Sequence, residues 1–67
     1  MTQENIDFIK EQFSFIEKYD ETLDRLMNHE DVDWRRIAAL NDWKIQALKN
    51  IVEILFKEAI NYERSKS

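Results

Sequence analysis

From Trp34 onward, apolar side chains recur at Ala38, Ile45, Leu48, Val52, Leu55, Ala59 and Tyr62, in steps that alternate between four and three residues. Only Asn41 interrupts the row. Strands repeat every two residues and loops do not repeat, so this spacing reads as one face of a long α-helix. The chain contains no Gly and no Pro that would break it,. The reading is a helix from about Trp34 to Glu63, with Arg64 and Lys66 at its basic C-terminal end and a frayed tail over 64–67. Beside the main row runs a second one: Ile37, Leu40, Lys44, Ala47, Ile51 and Ile54.

The first half repeats the pattern from about Glu4 to Met27. Its row is Ile6, Ile9, Phe13, Ile16, Asp20, Leu23 and Met27, flanked by Phe8, Phe15, Tyr19 and Leu26. Together these classes span roughly 160° of the helix, wider than a two-stranded seam. Between the helices, Asn28-His29-Glu30-Asp31-Val32-Asp33 is the loop. Asn28 or His29 suits the end of the first helix, and Asp31 or Asp33 suits the N-cap of the next.

The expected fold class is therefore all-α: one domain over residues 1–67, folded as a long antiparallel two-helix hairpin. A three-helix variant, with a break near Asn41-Asp42, is the alternative. The hairpin is preferred because the row keeps its phase through that point. Two helices facing only each other would each leave one apolar row in water, which predicts pairing of two hairpins into a four-helix bundle. Burying one Ile, Leu or Phe contributes about 1.5–3 kcal/mol, so an uncovered row forfeits much of the available stabilisation.

A chain of 67 residues has little interior, and small folds lean on disulfides, metals or association,. With no Cys and one His, association is what remains,. Charged residues make up 36% and hydrophobic ones 43%, too apolar for a disordered segment and too polar for a membrane span,. The polar, acidic start resembles no signal or transit peptide, so a cytoplasmic location is expected. The net charge of −4 is unevenly spread. Residues 1–27 carry seven acids against three bases, whereas residues 44–67 carry three acids against five bases. An antiparallel hairpin brings these unlike halves together, a modest orienting effect at physiological salt.

Candidate chemistry is sparse. Asp20 falls on the apolar row of the first helix, and Lys44 breaks the second row of the other. A turn near residue 30 sets them opposite one another, which predicts a structural ion pair that fixes register more than strength. Glu30, Asp31 and Asp33 near His29 match neither an EF-hand loop nor a Glu-x-x-His helix pair, so they read as turn and capping residues. Ser14, Ser65 and Ser67 have no His within helical reach. No Gly-rich phosphate loop exists. The expectation is a non-enzyme without catalytic residues, cofactor or metal.

Protein binding is the function these features favour: a small regulator, inhibitor, adaptor or chaperone-like hairpin acting through apolar helix faces. Trp43, Phe56 and Ile60 lie off the main face, and Trp43 in particular is costly to leave in water. With Trp34, which also suits the core, they form the expected partner-binding set. Ile37, Leu40, Ile51, Ile54, Phe8 and Phe15 form the expected self-association set. The anticipated partners are another protein, a second copy of the chain, or both. Direct binding of nucleic acid or membrane is not expected, because the basic residues share no clean stripe. An acidic outer face that imitates a phosphate row, or a purely self-assembling bundle, are the alternative functions.

Overall fold

The computed structural model describes residues 1–66. Helix α1 runs over Gln3–Met27 and α2 over Trp34–Lys66, and the two pack against each other as an antiparallel hairpin. Thr2 caps α1, its hydroxyl accepting from the Asn5 amide at 3.2 Å. Asn28 ends α1, donating its own amide to the carbonyls of Asp24 and Leu26. Asp33 starts α2: its carboxylate accepts from the Arg36 amide at 3.2 Å and its carbonyl from the Ile37 amide at 3.1 Å. The six-residue loop thus reverses the chain without any residue at positive φ, which explains how a sequence lacking Gly can turn here,.

Helix α2 passes through Asn41-Asp42 without a break, so the three-helix variant does not form. Ile37 and Leu40 before that point, and Ala47 and Ile51 after it, are all buried in the same phase against α1. A break would have taken one of those pairs out of register. The helix also continues through Lys66, past the end expected at about Glu63. Ser65 donates to the carbonyls of Asn61 and Tyr62, and the Lys66 ammonium lies 4.8 Å from the Tyr62 ring centre. Residue 67, the last of the expected frayed tail, lies outside the described residues.

The rows of α2 exchange the roles that the spacing suggests. The shorter row faces α1, with Ile37, Leu40, Ala47 and Ile51 buried and Lys44 and Ile54 half-buried. The longer row, from Trp34 to Tyr62, faces outward. On α1 the contact face is likewise rotated: Ile9, Gln12, Ile16, Tyr19, Leu23 and Leu26 pack inward, while Phe13 and Met27 are exposed. Two small clusters result. Ile16, Ala47 and Ile51 hold the middle with Ile9, and Leu23, Ile37 and Leu40 hold the turn end with Tyr19, Leu26 and Val32.

Gln12 is a buried polar residue inside this seam. Its amide oxygen accepts from the Asn50 side chain at 3.3 Å, so the group is satisfied,. Removing Gln12 takes the partner from the half-buried Asn50 amide nitrogen, while the Asn50 oxygen still accepts from Gln46 at 3.0 Å. Gln12→Ala should cost about 1–3 kcal/mol, whereas changing Gln12 and Asn50 together to Leu should be nearly neutral or stabilising. Denaturant midpoints of the two variants check this.

The hairpin measures 57 × 17 × 12 Å, with a radius of gyration of 16.1 Å. A compact chain of this length would have about 11 Å. A rod one helix deep has no side chain that both helices can enclose completely, and none of the described residues is fully buried.

Candidate protein-binding face

Three contacts across the hairpin give its register: Asn5 with Glu58 at 3.1 Å, Gln12 with Asn50, and Asp20 with Lys44 at 2.6 Å. The expected Asp20–Lys44 pair is present, with Asp20 exposed and Lys44 half-buried. An exposed pair contributes about 0–1 kcal/mol, so its value lies in holding α1 and α2 at one height. It also defines one side of the molecule. Ile6, Phe13 and Met27 recur every seven residues with Asp20, and Leu48 and Leu55 follow Lys44 on the same flank of α2,.

That side carries the outward row. Ile45, Leu48, Val52 and Leu55 are 42–62% exposed, and Ala38, Asn41, Ala59 and Tyr62 continue the line in both directions. Exposed Phe13 lies level with Asn50 and widens the patch onto α1. Single exposed apolar residues are ordinary, but an apolar row of this length is a candidate binding surface.

The residues singled out from sequence fall in several places. Trp34, suited to the core by its row, is 68% exposed at the start of the outward stripe. Phe56 and Ile60 are exposed on the far edge of α2, beside that stripe. Trp43 lies on the opposite flank, where its ring sits 6.0 Å from Tyr19, which in turn stacks on Phe15 at 6.4 Å. Trp43 therefore has an intrachain contact while staying more than half exposed. Of the expected self-association set, Ile37, Leu40 and Ile51 are buried within the hairpin and Ile54 is half-buried, so these four are occupied by α1. Phe15 is half-buried and Phe8 exposed on the Trp43 flank. Sequence reasoning left out Ile45, Leu48, Val52 and Leu55, because their row reads as the core.

Elsewhere the surface is chemically plain. An open cleft at the turn end is lined by Thr22, Arg25, Leu26, His29 and Arg36. Among the described residues, no group of three or more His, Cys, Asp or Glu could hold a metal ion. Ser65 is tied to the helix backbone. No helix among the described residues is long and apolar enough to cross a membrane. Comparison with family models, curated proteins and solved structures finds no significant match to this chain. The outward stripe is thus the feature from which a role must be read.

Proposed function

We propose that this chain is a non-enzymatic protein–protein interaction module that acts through its outward apolar stripe, and that a second copy is a partner, completing a four-helix bundle. The carrying observation is unburied area. A compact folded chain of 8.2 kDa exposes about 4,500 Å²,. This one exposes 5682 Å². The excess, roughly 1,100 Å², is more than the ~800 Å² each partner contributes to an interface of standard size. Stacking two hairpins by their stripes encloses Ile45, Leu48, Val52, Leu55 and Phe13, and converts a rod one helix deep into a bundle with an interior.

Sedimentation equilibrium from micromolar to millimolar concentration tests the reading. The expected mass is twice 8.2 kDa. Because association binds only the folded chain, the melting midpoint should rise with protein concentration. Association through apolar faces should also survive added salt, whereas a charge-driven complex would weaken steeply. A single copy at all concentrations, with a fixed melting midpoint, would overturn the proposal.

A further inference from the structure

Resting on the association just proposed, we infer that the second copy docks antiparallel, α2 against α2, about a twofold axis level with Phe13 and the midpoint between Leu48 and Val52. Two face-to-face stackings of such hairpins have twofold symmetry. One lays α2 over the second copy's α1; the other lays α2 over α2. The register contacts decide between them, because they give the height of every residue on the stripe side. With α2 over α1, the carboxylates of Glu17 and Asp24 would be driven against Ile45 and Ala38 of the other copy. Desolvating a carboxylate against an aliphatic surface is costly unless it is paired. The stripe of α2 carries no charged residue and is broken only by Asn41, so α2 can cover α2 without that cost.

Steric and charge matching support the same choice. In an antiparallel pair centred on α2, Leu48 meets Val52 of the second copy and Ile45 meets Leu55. Farther out, Ala38 meets Tyr62 and Asn41 meets Ala59, so each large or polar side chain faces a small one. At the rims, Arg35 falls beside Glu63 of the other copy, and Lys10 on α1 falls beside Glu17. Phe13 meets its own symmetry mate at the axis. One like-charge contact, Lys49 with Lys49, lies at the exposed edge where solvent and salt screen it.

The chain has no Cys, so engineered thiols report geometry without background. Asn41→Cys and Ala59→Cys replace exposed residues on the stripe that sit at opposite ends of the inferred pair. Mixed and treated with a short bis-maleimide, the two variants should give a 41-to-59 product as the dominant species. Each variant treated alone should give none. A dimer by sedimentation whose single variants cross-link to themselves, 41 to 41 and 59 to 59, would overturn the antiparallel arrangement while leaving self-association standing. A chain that sediments as one copy would instead remove the reading beneath it. Sedimentation of each variant before cross-linking shows that the substitution has not itself abolished pairing.

Discussion

Val52→Asp should leave single hairpins in solution at concentrations where the parent chain pairs. Val52 is exposed within one copy, so the substitution removes nothing that holds α1 to α2, and it is central in the pairing proposed above. In a twofold interface each substitution counts twice. Losing the burial of two Val side chains costs about 3–6 kcal/mol at 1.5–3 kcal/mol each. A carboxylate set against Leu48 of the other copy adds a desolvation cost. Each 1.4 kcal/mol is about tenfold in affinity, so the dissociation constant should rise by at least about 100-fold. Sedimentation gives the constant directly. Melting gives an independent sign: the parent's midpoint should climb with concentration and the variant's should not. A variant that still pairs as tightly as the parent would show that the stripe is not the interface.

The two helices and the loop between them are legible in the residue pattern, because each rests on a local rule; the outer ends, at Gln3 and Lys66, lie beyond the bounds that pattern suggests. The absence of Gly and Pro, the steps of three and four, and the cap residues Asn28 and Asp33 act within one turn of chain,. The Asp20–Lys44 contact is legible too, since a turn near residue 30 sets the two defects at one height. The facing of α2 is not read correctly from row length. Its two rows lie about 80–100° apart on the helix and both are apolar, so periodicity alone cannot say which one α1 covers. The longer row, richer in Leu and Val, looks like the core and is the outer stripe.

A signal that resolves the choice is nevertheless present. Lys44 belongs to the shorter row. If its ammonium reaches Asp20 across the hairpin, the whole of that row must face α1, and Ile37, Leu40 and Ile51 cannot be held back for a second copy. Ala47 at the middle of the same row is consistent with this, since a small side chain lets Ile16 of α1 approach closely,. Gln12 is the residue that local reasoning misses. A polar side chain at a seam position reads as solvent-facing until its mate, Asn50, is known to lie at the same height,.

Ile51→Ala should separate the two rows from the other direction. Ile51 is buried against Ile16 and Ala47, one residue before Val52 yet on a different face. Truncating a buried Ile to Ala costs about 2–5 kcal/mol in lost transfer energy and residual cavity. For a domain of this size that corresponds to a midpoint lowered by about 8–40 °C. The hairpin has two clusters of three buried side chains, so one of them loses one of its two Ile side chains and little remains to compensate,. The outward stripe is untouched, so the lowered midpoint should still rise with protein concentration. Neighbouring residues thus give opposite signatures: Val52→Asp removes the concentration dependence, and Ile51→Ala keeps the dependence while lowering the whole curve. Only a helix whose inner and outer rows are assigned as in this structure produces that contrast. If Ile51→Ala abolished pairing with little loss of hairpin stability, the assignment of rows would have to be reversed.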